Sequence, residues 1–425
     1  MFSKVAVSAV AALIAAALLI LGLPGCGTAP DSGPWERKRL MEIPAFAYAP
    51  EHDAADGVRA LFYEGLPYED KPTKVFAYVG MPESGTAAGE AGVPAVVLVH
   101  GGAGTAYVDW VREWNRRGYA AIAMDLEGHL PEWDEQAGGY KPHEWGGPAN
   151  QPVWKDIDRP EREQWTYHAV ADIALAHSLL RSLPGVDPQR TGIVGVSWGA
   201  VLTEIAVGTD ERYRFAIPVY GSGFVAESES YFGDAYRSWP EETRARFERL
   251  WEPSVYLQRA KLPMLWVNGD NDAHFPLTVF TKSYEVVKDN AVLSIHPGMP
   301  HNQEEAVRPP EIYAFADSVV SGSAPLARTV RHEWRDGIDG VDVSIELDSP
   351  EPIVRAEFYY TLNVSDRLSP VWSKRVVNVP TDEGLKPRIE AALPAKTKAY
   401  YANAIDARGY IVSVGLTDIA GRTNE

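Results

Sequence analysis

Two textures of hydrophobic patterning divide the chain near Ser321. Before that point, short unbroken apolar runs alternate with stretches whose apolar residues recur at helical spacing. The runs are Val93–Val99, Tyr119–Asp125, Thr191–Val196, Phe215–Tyr220, Leu262–Val267 and Ala291–Ile295. They lack the alternation of half-exposed strands, so each predicts a strand covered on both faces. Between them, a helix is expected from about Tyr107 to Arg117, with Val108, Trp110, Val111 and Trp114 on one side. Further helices are expected over Glu161–Leu183, Val279–Val287 and Gln303–Val320, and Arg59–Tyr63 and Thr73–Val79 read as additional strands. Strands alternating with helices imply an α/β fold: a doubly wound, mostly parallel sheet with helices on both faces and right-handed crossovers. Ligands on such a sheet bind beyond the carboxyl ends of its strands.

After Ser321 the helical spacing stops. Strand-like runs follow at Arg328–Trp334, Val341–Leu347, Val354–Thr361, Val371–Val379, Lys398–Ile405 and Tyr410–Leu416, separated by turn signals such as Asp336-Gly337, Asp339-Gly340 and Asp406–Gly409. Short strands at this spacing predict an antiparallel, sandwich-like C-terminal domain. The expected organisation is a signal segment over 1–25, a tether over 26–45, and an α/β domain over 46–322. That domain is interrupted by insertions at about 130–166 and 221–260, and a β domain follows over 323–425.

Composition adds three constraints. The formal net charge of −18, with no offsetting basic cluster, argues against nucleic acid and anionic membrane surfaces as partners. One cysteine, Cys26, excludes an intrachain disulfide. It closes a start made of Lys4, an Ala- and Leu-rich run from Val5 to Leu23, and Pro24-Gly25. A charged start, an apolar stretch and small residues at the cut form a secretory signal. Ending that signal on cysteine resembles the lipobox of bacterial lipoproteins, which implies lipidation at Cys26 and export, with membrane contact through the lipid anchor alone.

The chemistry centres on Thr191-Gly-Ile-Val-Gly195-Val-Ser197-Trp198-Gly199, a G-x-S-x-G placed between a strand and a helix. A serine hydroxyl is a poor nucleophile and must stand clear on a tight turn, which glycines on either side permit. Asp270 and Asp272 follow the strand that ends at Val267, and His301 follows the strand that ends at Ile295. The order Ser197, Asp272, His301 is a serine–acid–histidine order. Asp272 is preferred to Asp270 because it sits farther along the turn. His301 is preferred to His296, which lies on the strand, and to His274, a loop neighbour of the acid. An oxyanion hole is expected from the backbone N–H of Trp198 with N–H groups of Gly101 and Gly102, and His100 is expected to pin their loop. No zinc motif or nucleotide-binding glycine loop is present, so no metal and no cofactor are expected.

His100-Gly101-Gly102, Asp125-Leu-Glu127-Gly-His129, Gly195–Gly199, Gly269-Asp270-Asn-Asp272 and His301 together resemble an α/β-hydrolase of the dienelactone hydrolase, acetyl xylan esterase and prolyl oligopeptidase-like branch, over about Arg59 to Val320. Dienelactone hydrolases use cysteine where this chain has Ser197, and there is no room before Val93 for the propeller of prolyl oligopeptidases. The resemblance therefore implies a serine carboxylic ester hydrolase, acting on a small ester or an acetylated carbohydrate outside the cytoplasm. A serine peptidase of the same fold and a non-catalytic binding protein are the alternatives. Aromatic residues in the insertions, among them Trp133, Tyr140, Trp154, Tyr231 and Phe232, serve either to stack on sugar rings or to pack beneath the loops. The C-terminal domain lies outside the resemblance, and the sequence gives it no role.

Overall fold

The computed structural model describes residues 33–83, 92–338, 340–379 and 386–420. Cys26, the signal segment and the start of the tether lie outside the described residues. After a short helix α1 (Arg37–Met41) come strands β1 (Phe46–Tyr48), β2 (Arg59–Glu64), β3 (Lys74–Gly80) and β4 (Val93–Val99). Helix α2 (Val108–Arg116), β5 (Ala120–Met124) and a hairpin of β6 (His129–Asp134) and β7 (Gly139–Pro142) follow. Then come α3 (Trp165–Ser182), β8 (Val186–Val196), α4 (Trp198–Val207) and β9 (Phe215–Val219). Three helices form the second insertion: α5 (Tyr231–Ser238), α6 (Glu241–Leu250) and α7 (Pro253–Leu257). The domain closes with β10 (Met264–Gly269), α8 (Leu277–Val287), β11 (Ala291–His296), α9 (Gln303–Ala306) and α10 (Pro310–Val320).

These strands form one nine-stranded sheet in the order β1-β2-β3-β5-β4-β8-β9-β10-β11. The run from β5 to β11 is parallel, and β1, β2 and β3 extend it antiparallel. The parallel strands are buried on both faces, every residue of β4, β5, β9 and β10 included, which is why they read as continuous apolar runs. The fold is the expected α/β one. The final helix differs from its expected single span, because Pro309 and Pro310 split it into α9 and α10. Proline lacks the N–H that an unbroken helix needs, while at the start of α10 that loss costs nothing. Among the described residues no helix is long and apolar enough to cross a membrane.

Among the described residues the C-terminal domain has seven strands: β12 (Arg328–Asp336), β13 (Gly340–Asp348), β14 (Ile353–Thr361), β15 (Ser373–Asn378), β16 (Arg388–Pro394), β17 (Ala399–Asp406) and β18 (Ile411–Asp418). They make two antiparallel sheets, β12-β13-β16 and β15-β14-β17-β18. This domain packs against β11, the open edge of the large sheet. There Asn403 Nδ2 donates to Ile295 O at 2.9 Å, and Ile295 N–H donates to Ser413 Oγ at 2.8 Å. The Ser413 hydroxyl in turn donates to Asn403 Oδ1 at 2.7 Å. Both polar groups of an edge residue are thus satisfied by side chains of a second domain, a way of covering a sheet edge without adding a strand. Gly415 of β18 lies so close to α8 that an added Cβ would stand 2.4 Å from Thr281 Cγ2.

A titratable group sits in the same contact. Glu311 of α10 accepts the Ile411 N–H at 2.6 Å and is almost wholly buried. Burial, reinforced by Asp406 and opposed by that N–H, pushes its carboxyl up to about 7. Its other oxygen lies 3.5 Å from His296 Nε2, whose pKa burial holds down to about 4. Between those values both groups are neutral, and the contact is not an ion pair. The unfolded chain ionises Glu311 near the ordinary glutamate value, so its contribution is complete below about pH 4.5 and is lost as pH rises through about 7. The loss amounts to up to about 3 kcal/mol. Glu311→Gln should flatten part of the fall in thermal midpoint between about pH 5 and pH 8; an unchanged slope would remove Glu311 as its source.

Candidate active site

Ser197 sits at the junction of β8 and α4 with φ 57° and ψ −120°, a region that side-chain-bearing residues occupy only when the surroundings impose it. The imposition is visible. An added Cβ on Gly195 would lie 2.1 Å from Gly199 O, and one on Gly199 would lie 2.1 Å from Val99 O. Only glycine lets α4 fold back so closely on β8 and β4. The turn is fixed to β9 by the Ser197 N–H, which donates to Val219 O at 2.8 Å.

Two loops from neighbouring strands converge on this turn. His301, in the loop after β11, places Nε2 2.8 Å from Ser197 Oγ and Nδ1 2.7 Å from Asp272 Oδ2. The other oxygen of Asp272 accepts the backbone N–H groups of His274 at 2.8 Å and Phe275 at 3.0 Å. An ionised carboxylate can only accept, so Nδ1 of His301 carries the proton and Nε2 is left to accept from the serine hydroxyl. The Asp272 side chain is fully buried, while that of His301 is 19% exposed, so the imidazole lies at the mouth and the carboxylate behind it. The other acid considered from sequence, Asp270, points away: its carboxylate accepts the Gly298 N–H at 2.7 Å and the Tyr401 hydroxyl at 2.8 Å.

The loop of Gly101 and Gly102 runs past Ser197. A Cβ on Gly101 would lie 3.1 Å from Ser197 Cβ, and one on Gly102 would lie 2.7 Å from Trp198 Cδ1. The residues expected to form an oxyanion hole are therefore adjacent, with Trp198 opening α4. His100 braces them, accepting the Leu126 N–H on Nε2 at 2.9 Å and donating from Nδ1 to Gly101 O at 2.7 Å. Burial lowers its pKa, which keeps the ring neutral as those two bonds require.

Two residues at the site were given no role from sequence. Tyr220 follows β9 at φ 60°, lays its ring 4.7 Å from that of His301 and donates its hydroxyl to Pro300 O at 2.7 Å. Its signal was its place at the carboxyl end of a central strand. Glu127 accepts the Ala103 N–H at 3.2 Å and the Asn150 N–H at 3.1 Å, tying the glycine loop to the first insertion. His274 lies with its ring 4.6 Å from His301, and burial, then the charge of His301, lowers its pKa. His296 makes no contact with Ser197 and bonds Ser294 Oγ at 3.0 Å instead.

The aromatic residues of the insertions are mostly core. Trp154 packs 4.6 Å from both Trp198 and Phe247, and Trp165 and Phe232 close the cluster at 5.8 and 5.5 Å from Trp198. Trp133 and Tyr231 are exposed. Beneath the second insertion, Trp154, Trp198, Val201, Val225, Phe232 and Phe275 line a narrow, largely apolar pocket. Among the described residues, no group of three or more His, Cys, Asp or Glu is placed to hold a metal ion.

Such an arrangement can move the Ser197 proton to an imidazole backed by a buried carboxylate, beside backbone N–H groups at a helix start. Comparison with known proteins agrees with that chemistry. The acetyl xylan esterase family (AXE1) matches residues 60–226, and the prolyl oligopeptidase family (peptidase S9) matches residues 158–305. The uncharacterized peptidase YuxL of Bacillus subtilis (strain 168) is 23% identical over 203 residues, 44% of this chain and 27% of that protein. The chain thus spans about a quarter of the length of that relative. The acetyl xylan esterase from Paenibacillus sp. R4 superposes with a TM-score of 0.50 at 20% identity, over 63% of this chain and 87% of that one. Acetyl xylan esterase 1 from Thermoanaerobacterium sp. JW/SL YS485 gives 0.49 at 16% identity, over 65% and 91%. The sheet and its elbow are those of an α/β-hydrolase, and over the matched stretches the chain is similar to the serine hydrolases of the acetyl xylan esterase and prolyl oligopeptidase families.

Proposed function

We propose that the protein is a serine carboxylic ester hydrolase that works through an acyl-enzyme, with an acetylated carbohydrate as its natural substrate. The observation that carries this reading is the unbroken run of hydrogen bonds from Ser197 through His301 to Asp272, at 2.8 and 2.7 Å. As Ser197 Oγ bonds to the ester carbonyl carbon, its proton passes to His301 Nε2. The negative charge moves onto the carbonyl oxygen, facing the N–H groups of Trp198 and the Gly101-Gly102 loop. Each such donor is worth about a hundredfold or more in rate. The imidazolium, held by Asp272, then protonates the departing alcohol, and water repeats the sequence to release the acid.

The carbohydrate part of the proposal draws on the likeness to an acetyl xylan esterase. The protein is further proposed to be exported and anchored through lipidated Cys26. Replacing Cys26 by serine should then abolish incorporation of labelled fatty acid into the protein; unchanged labelling would rule the anchor out.

The soluble fragment beginning after Cys26 should release acetate from p-nitrophenyl acetate and from acetylated xylan without cutting proline peptides. Cleavage of peptides with no ester hydrolysis would overturn the esterase reading. It would favour the second reading, a serine peptidase, which rests on the prolyl oligopeptidase match across 158–305.

A further inference from the structure

We propose that the C-terminal β domain is a working part of the catalytic centre, with Tyr401 and Trp372 acting through Asp270 as positioning residues for the loop that carries His301. The inference rests on the reading of Ser197 and His301 as nucleophile and base.

Asp270 joins three segments. Its Oδ1 accepts the N–H of Gly298, three residues before His301, at 2.7 Å. Its Oδ2 accepts the hydroxyl of Tyr401, from β17 of the C-terminal domain, at 2.8 Å. Its backbone carbonyl accepts the indole N–H of Trp372, from the approach to β15, at 3.1 Å. Asp270 and Tyr401 are buried, so none of these partners is readily replaced by water. Burial first, and then the charge of Asp270, raise the pKa of Tyr401, so the phenol keeps the proton it donates. The Tyr401 ring is itself fixed, stacked 4.8 Å from Tyr359 at an interplanar angle of 3° and edge-on to Trp372 at 5.2 Å.

The base loop needs such support because of where it hangs. It leaves β11, the edge strand, and so has the large sheet on one side only. On that side Tyr220 holds Pro300 O. On the same side Asp270, just past the end of β10, holds Gly298, while the neighbouring Gly269 is so close that a Cβ there would lie 2.4 Å from Met299 O. The C-terminal domain secures both the root and the middle of this loop: Asn403 and Ser413 at Ile295, and Tyr401 through Asp270 at Gly298. His301 must keep two bonds below 3 Å at once, and a misplacement near 1 Å costs about a hundredfold. Tyr401→Phe leaves a buried carboxylate oxygen without its donor, which favours a shift of Asp270 and of the loop bonded to it.

The test uses the whole chain and counts competent sites with a fluorophosphonate that labels Ser197, so that kcat is expressed per labelled site. Tyr401→Phe should lower kcat per site about tenfold or more, with KM for p-nitrophenyl acetate within about twofold. Asp270→Ala should lower it further. Asp270→Asn, which can still accept from Gly298 and donate to the phenol oxygen, should restore most of the loss. Trp372→Phe keeps the ring, loses only the N–H, and should show a smaller decrease; it serves if Tyr401→Phe does not fold. A merely structural role would reduce the number of labelled sites and leave the rate per site unchanged, and that result overturns the proposal. Failure of wild-type Ser197 to react with the probe would instead overturn the ester-hydrolase reading, whatever Tyr401 does.

Discussion

Ser197→Ala should reduce turnover of p-nitrophenyl acetate by about 10⁴-fold or more while moving the thermal midpoint by no more than about 2 °C. The two halves of this expectation have different causes. Activity disappears because the hydroxyl removed is the one 2.8 Å from His301 Nε2. Stability survives because His301 is partly exposed, so water can take the place of the lost hydroxyl. The strained backbone at φ 57° is equally strained with alanine. Asp272→Asn should lose a similar amount, about 10⁴-fold, for a reason of geometry. The oxygen that accepts from His274 and Phe275 must remain an oxygen, which turns the new amide N–H₂ toward His301 Nδ1. Nδ1 then accepts, Nε2 carries the proton, and the imidazole presents a donor to a serine it should deprotonate. Steady-state assays of both variants, with midpoints from circular dichroism, check this. A Ser197→Ala enzyme retaining more than about one per cent of wild-type turnover would falsify the nucleophile assignment.

Much of this centre could be read from the sequence because its parts are local. Gly195, Ser197 and Gly199 lie within one turn, and a strand before and a helix after give that turn its meaning. Likewise Val93–Val99 reads as a doubly covered strand from its own residues. The choice between Asp270 and Asp272 rested on position along a short loop, which decides how far a carboxylate reaches. Contacts made across the chain had no such signal. Asp270 meets Tyr401 from 131 positions away, and Tyr220 reaches His301 only because its φ turns positive at the end of β9. Strand β16 was missed, although Ile389, Ala391 and Leu393 alternate inward, because the two alanines weaken the contrast between its faces. Helix α6 was readable in principle: Thr243, Phe247 and Leu250 are its buried residues, at helical spacing. The aromatic residues of the insertions could not be placed from sequence, since stacking on a ligand and packing under a loop use the same side chains.

Gly199→Ala should be the most damaging single methyl group that can be added near the site. The ideal Cβ would stand 2.1 Å from Val99 O and 2.6 Å from His100 O. Both are backbone atoms: Val99 closes the central strand β4, and His100 is held by Leu126 and Gly101. No side chain can swing aside, so α4 must move away from the sheet by an ångström or more. That displacement opens the packing of Val201, Leu202 and Ile205, all buried, at a cost of about 3 kcal/mol or more. It also carries the Trp198 N–H away from the Gly101-Gly102 loop, so molecules that do fold should lose about a hundredfold in kcat for want of one oxyanion donor. Gly101→Ala separates the two effects, because its Cβ would meet Ser197 Cβ and Val196 O at a milder 3.1 Å. It should lower the thermal midpoint by less than half as much as Gly199→Ala. Equal stability of the two variants in denaturant titration would mean that the closeness of α4 to β4 is not what makes glycine obligatory after the nucleophile.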